Sequence, residues 1–207
     1  MNHEAREDRY RGGPGFFSGE TVMEDPIAET LARFHRGLIL IYTGDGKGKT
    51  TAAIGQALRT IGHGNKVLII QFMKGKKYGE VLAAEKYLAG MLTTVQCGLD
   101  SFVMKDCPAP VDVELARQGL NFAKKAITSG NYQMVILDEI NVALDFRLIP
   151  MEDVIEIIKT KPASLDLVLT GRYASAEMIE LADMVSEVRE IKHHYSQGIK
   201  ERAGIEY

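Results

Sequence analysis

The sequence predicts an α/β fold, a single domain with a mainly parallel central sheet flanked by helices. Three observations lead there. From Gly37 onward, short apolar runs alternate with helical patterns, which is the beat of βαβ units. The glycine-rich stretch Thr43-Gly44-Asp45-Gly46-Lys47-Gly48-Lys49-Thr50-Thr51 follows directly on the apolar run Leu38-Ile39-Leu40-Ile41-Tyr42. A second apolar run, Val135-Ile136-Leu137, ends in the two carboxylates Asp138 and Glu139.

Residues 1–36 are rich in charge and glycine, with Arg11-Gly12-Gly13-Pro14-Gly15 in the middle, and read as an extension or lid ahead of the domain at 37–207. Strands are expected over 38–42, 67–72, 134–137, 167–169 and 184–188, with a weaker one at 93–96. The first helix starts at the glycine-rich loop, runs through Ala52, Ala53, Ala57 and Leu58, and stops at Gly62. A second takes Asp112 as N-cap and carries Ala116, Leu120, Ala123 and Ile127 on one apolar face. Later helices are expected over 151–159 and 175–182.

Composition bounds the partners. At 207 residues the chain suits one domain with an extension. A net charge of -3 and a pI near 6.0 give no electrostatic footprint for nucleic acid. The cluster Lys74, Lys76, Lys77 could meet an anion, but a solvated loop is the slightly better reading on composition. Cys97 and Cys107 lack C-x-x-C spacing and suit a reducing cytosol. No apolar run approaches the roughly 20 residues of a membrane span, and the charged N-terminus is unlike a signal peptide. A cytoplasmic protein is expected.

A loop between a strand end and a helix start offers unpaired N–H groups at the positive end of a helix dipole, which suits phosphate. Gly44, Gly46 and Gly48 let the backbone come close to a ligand, Lys49 brings a mobile charge, and Thr50 a hydroxyl for Mg²⁺. Asp45 and Lys47 serve turn geometry and charge. The usual spacing G-x-x-x-x-G-K-[ST] needs glycine at 43, where this chain has Thr43. Asp138 and Glu139, at the carboxyl end of a buried strand beside the loop of a neighbouring strand, can hold Mg²⁺; the plainer reading is an acidic helix N-terminus. The pairing with the glycine-rich loop favours nucleotide plus Mg²⁺.

Thr170-Gly171-Arg172 follows another apolar run, so it too falls where ligands of open α/β sheets collect. Arg172 is either a phosphate clamp or an exposed arginine after a glycine turn. Arg59, ten residues after Lys49, reads from its position as a helix-surface arginine. His193-His194 does not qualify as a metal site, because adjacent side chains point apart on a strand or helix. No nucleophile elbow is present, which leaves acyl chemistry unsupported.

These motifs in this order resemble the ATP:corrinoid adenosyltransferases of the cob(I)yrinic acid a,c-diamide type. The resemblance rests on the loop from Thr43 to Ala53, Gly62-His63-Gly64, Gln71-Phe72-Met73-Lys74-Gly75, Leu137-Asp138-Glu139 and Leu169-Thr170-Gly171-Arg172. It continues through Glu180-Leu181-Ala182-Asp183, Lys192-His193, Gly198-Ile199 and Gly204-Ile205-Glu206-Tyr207. It implies a P-loop, RecA-like domain, usually dimeric, that moves the 5′-deoxyadenosyl group of ATP onto Co(I) of a corrinoid or cobalamin and releases triphosphate. By motif position, Thr43, Gly44, Asp45, Gly46, Lys47, Gly48, Lys49, Thr50, Thr51 and Arg59 would meet ATP. Lys49, Arg59 and Arg172 would position it; Thr50, Asp138 and Glu139 would handle Mg²⁺. The implied partners are the two small-molecule substrates, an electron donor such as a reduced flavoprotein, and a second copy of the chain. In the family ATP lies in the loop with reversed polarity, and the altered glycine spacing agrees with that.

The chain departs from the family in one respect. Members often carry an aromatic pair with tryptophan after the strand that here ends near Gln96, whereas this sequence has no tryptophan and reads Cys97-Gly98-Leu99-Asp100-Ser101-Phe102-Val103-Met104. Phe102 is either an apolar wall for the corrinoid or a core phenylalanine. The rival functions are a P-loop phosphotransferase or hydrolase of nucleotides, and a paralogue that binds ATP and corrinoid without turnover.

Overall fold

The computed structural model describes residues 36–207; the expected extension or lid at 1–36 lies, save its last residue, outside them. The elements, in chain order, are β1 (Ile39–Thr43), α1 (Lys49–Gly62), β2 (Val67–Phe72), α2 (Gly79–Tyr87), β3 (Leu92–Cys97), α3 (Pro110–Thr128) and β4 (Met134–Asp138). They continue as α4 (Ile140–Asp145), α5 (Met151–Thr160), β5 (Asp166–Thr170), α6 (Ala176–Leu181) and β6 (Met184–Glu187), with a 3₁₀ turn at His194–Gln197. The six strands form one sheet in the order β3-β2-β4-β5-β1-β6, and every pairing is parallel. All six residues of β2 and all five of β4 are buried. That explains why these strands read as continuous apolar runs: helices cover both faces of a parallel sheet. Ala53 and Ala57 of α1 and Ala84 of α2 pack on one face; α3, α4 and α5 pack on the other.

The weak strand expected at 93–96 is a full edge strand, paired with β2 from Val67↔Leu92 to Phe72↔Cys97. Its burial is confined to its two ends, which is why its pattern was faint. Helix α3 begins before the expected Asp112: Pro110 takes the first helical position, where its missing N–H costs nothing. Asp112 instead reaches back to accept from the Ala109 N–H at 3.2 Å. Ser175 is the N-cap of α6, accepting from Met178 N–H. Helices α2 and α4 had no clear sequence signal; α2 buries only Val81 and Ala84.

Gly119 lets α3 sit close on the β2–β3 edge, since a Cβ there would lie 2.7 Å from Cys97 Sγ and 3.2 Å from Phe72 Cε1. Overpacking costs about 1–3 kcal/mol, against a helix-propensity gain of about 1 kcal/mol for Ala over Gly. Gly119→Ala is therefore expected to lower the urea midpoint, and a rise would contradict this close approach.

Candidate functional site

The register of the sheet lines up a polar row at its carboxyl edge. Gln96 of β3 pairs with Gln71 of β2, Gln71 with Asp138 of β4, and Leu137↔Leu169 brings Asp138 level with Thr170 of β5, itself opposite Tyr42 of β1. The row is stitched by side chains. Gln96 Nε2 donates to Gln71 Oε1 at 3.1 Å, Gln71 Nε2 to Asp138 Oδ2 at 3.2 Å, and Thr170 Oγ1 to Asp138 Oδ1 at 2.7 Å. Two further donors complete Asp138: Thr50 Oγ1 of α1 at 2.8 Å and Lys74 Nζ at 2.8 Å. β1 and β4 are not neighbours, because β5 lies between them and Thr170 bridges the gap. Asp138 is fully buried. Burial alone would raise its pKa, but Lys74, Thr170 and Thr50 outweigh it and hold the carboxyl below its usual range.

Lys74 does not belong to a solvated loop. Its ammonium pairs with Asp138 and lies 3.4 Å from Thr50 Oγ1. Burial works against that charge, but Asp138 prevails and the Lys74 pKa rises. Met73, with φ 58, turns the chain at the end of β2. Lys77, by contrast, makes an exposed pair with Glu85, and Lys76 lies over the Tyr207 ring at 4.6 Å.

In the loop, Lys49 is buried and donates to the Gly46 carbonyl at 2.7 Å. Burial lowers its pKa, with Glu139 pulling the other way. Gly48 takes φ 127 at the N-cap of α1, a conformation costly for any other residue. Gly44 and Gly46 answer to a different neighbour than expected. A Cβ on Gly44 would collide with the Val188 carbonyl, one on Gly46 would lie 2.7 Å from the Arg189 carbonyl carbon, and Gly46 N–H donates to Val188 O at 2.8 Å. These two glycines thus let the chain after β6 pack on the loop. Thr43 Oγ1 accepts from Ala174 N–H at 3.3 Å, bracing the β5–α6 connection near its end.

Two cavities flank Lys49 and Glu139. The larger, about 480 Å³, is lined by residues 47–51, Ile54, Lys74, Gly79, Glu80, Glu139 and residues 204–207. The second, about 360 Å³, takes in Asp45, Gly46, Lys47, Val142, Arg172, Glu190 and His193 besides Lys49 and Glu139. Glu139 sits at φ 61 where β4 turns into α4. Burial first, then Asp138, raises its pKa against the pull of Lys74, Lys49 and Arg172. Arg172 Nη2 donates to the Asp45 carbonyl at 3.2 Å, tying the β5 end to the loop.

Not every expected residue joins the site. Arg59 lies on the exposed side of the last turn of α1, roughly 15 Å along the helix from Lys49 at 1.5 Å per residue. Phe102 is 104% exposed, so the core reading fails. It borders a pocket of about 200 Å³ with Met73, Lys74, Gly75, Lys76, Tyr78, Leu99 and Tyr207. His193 and His194 do not point apart: their rings stack at 4.5 Å, and with Glu206 their ligand atoms lie within 4.8 Å of one another. His193 Nδ1, however, accepts from Tyr195 N–H, leaving the proton of the neutral ring on Nε2. A metal-bound histidine donates its other N–H outward, so this pair earns no metal assignment.

A glycine-rich loop capping a helix, a strand that ends on the buried Asp138 with Glu139 following it, and a strand inserted between them define a P-loop nucleotide-binding protein of RecA-like architecture. Solved structures agree: the RadB recombinase (TM-score 0.50, 15% identity, 77% of this chain and 78% of that one) and a KaiC-like protein from Pyrococcus horikoshii (TM-score 0.52, 16% identity, 76% and 75%) share the fold. The model of the family described as ATP:corrinoid adenosyltransferase BtuR/CobO/CobP matches residues 35–207, and the chain belongs to that family. It is similar to the corrinoid adenosyltransferase of Escherichia coli K12, with 36% identity over 85% of this chain and 88% of that protein. It is also similar to the corrinoid adenosyltransferase of Sinorhizobium sp, with 38% identity over 83% and 81%.

Proposed function

We propose that this enzyme transfers the 5′-deoxyadenosyl group of ATP to the Co(I) centre of a corrinoid, releasing triphosphate, in adenosylcobalamin synthesis or salvage. The observation that carries the reading is the family match, which spans every element of the site. Co(I) donates an electron pair to C5′, the C5′–O bond breaks, and its pair leaves with triphosphate. That step needs no protein base, so the residues act by holding the reactants in line.

Residues 44–51 would receive the triphosphate, with Lys49 leaving the Gly46 carbonyl for a phosphate oxygen. The donor set suits Mg²⁺, a hard cation that takes oxygen ligands. Thr50 and Glu139 would hold it, and Asp138, whose oxygens already accept four donors, would fix the Thr50 hydroxyl. When bound, Mg²⁺ neutralises charge on the leaving triphosphate. Arg172 steadies the loop through Asp45, and Phe102 offers the corrinoid an apolar wall. Arg59, distant within one chain, keeps only its family assignment.

Co(I) calls for a separate electron donor, of which a reduced flavoprotein is the expected class. No helix among the described residues is long and apolar enough to cross a membrane, and a cytoplasmic homodimer is the proposed form, testable by light scattering. The activity test supplies ATP, Mg²⁺ and chemically reduced cobalamin. Triphosphate with a light-sensitive Co–C spectrum is expected; ADP or orthophosphate would mark a phosphotransferase or hydrolase, and ATP binding without product a silent paralogue.

A further inference from the structure

Adenosyl transfer forces two substrates into contact, so the residues bordering both of their cavities stand where they meet. Two residues border both the 480 Å³ nucleotide cleft and the 200 Å³ pocket beside Phe102: Lys74 and Tyr207. Lys74 is committed to Asp138 and Thr50. Tyr207 has no such commitment to the polar row, yet its place is well defined. Its ring lies under the Lys76 ammonium at 4.6 Å and 6.5 Å from the Tyr78 ring, tilted by 49°. Its carbonyl accepts from Gly204 N–H at 2.6 Å, and its main chain approaches Gly79, where a Cβ would be 3.7 Å away.

We infer that Tyr207 is a positioning residue, an aromatic partition between the two cavities that sets how the corrinoid meets C5′ of ATP. The inference rests on the adenosyltransferase reading. Two segments approach this ring, the turn after β2 through Lys76 and the residue ahead of α2 through Tyr78, while Gly79 at the start of α2 approaches the main chain that carries it. A flat side chain with two rotatable bonds, held on several sides, can present a fixed surface to a large planar ligand at little entropic cost. The hydroxyl is not required for this, which separates a partition from a proton donor. Loss of the ring merges the cavities, and the corrinoid then lacks a stop.

The test is steady-state kinetics of Tyr207→Ala and Tyr207→Phe with ATP and chemically reduced cobalamin, beside ATP affinity by calorimetry and a thermal melt. The Ala variant is expected to lose about tenfold in kcat/KM for cobalamin, the factor one good aromatic contact supplies. Its ATP affinity should stay within about twofold, and Phe should restore the wild-type values. Wild-type kinetics in the Ala variant, an equal loss of ATP affinity, or failure of Phe to rescue would each overturn the partition. Absence of adenosylcobalamin from the wild-type protein would overturn the adenosyltransferase reading itself, and the partition with it.

Discussion

Lys49→Ala is expected to bind ATP about 100-fold more weakly, the equivalent of one or two charge-assisted hydrogen bonds, and to make no adenosylcobalamin at ATP concentrations that saturate the wild type. The lysine is the buried cation of the loop, and its hydrogen-bond partner among the described residues is the Gly46 carbonyl. Burial already disfavours its charge, so an incoming phosphate oxygen gains a strong and poorly hydrated donor. Calorimetric titration with ATP checks the affinity and the Co–C absorbance checks turnover. Unchanged affinity in a folded variant would remove the triphosphate from this loop.

Lys74→Ala is expected to produce the largest loss of stability, about 3–5 kcal/mol, because it strands a buried carboxylate. Among the described residues, the lysine is the one cationic group of the four donors to Asp138. The pH dependence follows from the two shifts. Asp138 is held below its ordinary 3.8, so its contribution is complete above that value and is lost as pH falls through the lowered one. Lys74 is held above its ordinary 10.5, so its contribution is complete below that and is lost as pH rises through the raised value. In Lys74→Ala, burial pushes the Asp138 pKa up, so protonating that carboxyl no longer costs stability; the acid limb should flatten, and the loss relative to wild type should shrink as pH falls. Urea unfolding across the acid range measures both effects, and an unchanged acid limb would dissolve the ion pair as a stabilising unit.

The sheet was legible because its strands are buried on both faces: β1, β2, β4 and β5 leave apolar runs that no helix period explains. Edges and short helices were less legible. β3 is buried only at its ends, and α4, Ile140–Asp145, is too short to show a period. At the site, the loop and the Asp138-Glu139 pair announced themselves by spacing. The pairing of Lys74 with Asp138 did not, because it joins residues 64 apart through sheet register. A usable sign existed: Lys74 follows a strand end, as do Lys49, Glu139 and Arg172. The glycines misled in part, since Gly44 and Gly46 make room for Val188 and Arg189, a contact between distant segments that spacing cannot reveal.

The four donors on Asp138 come from α1, β2, the turn after it and β5. They converge only if every one of those segments is in its proper place. A slip of β5 by one residue would send Thr170 to the opposite face of the sheet and break the set. The carboxylate therefore works as an assembly check: a misregistered chain cannot present an ordered Thr50 hydroxyl, and it would be inert toward nucleotide instead of promiscuous.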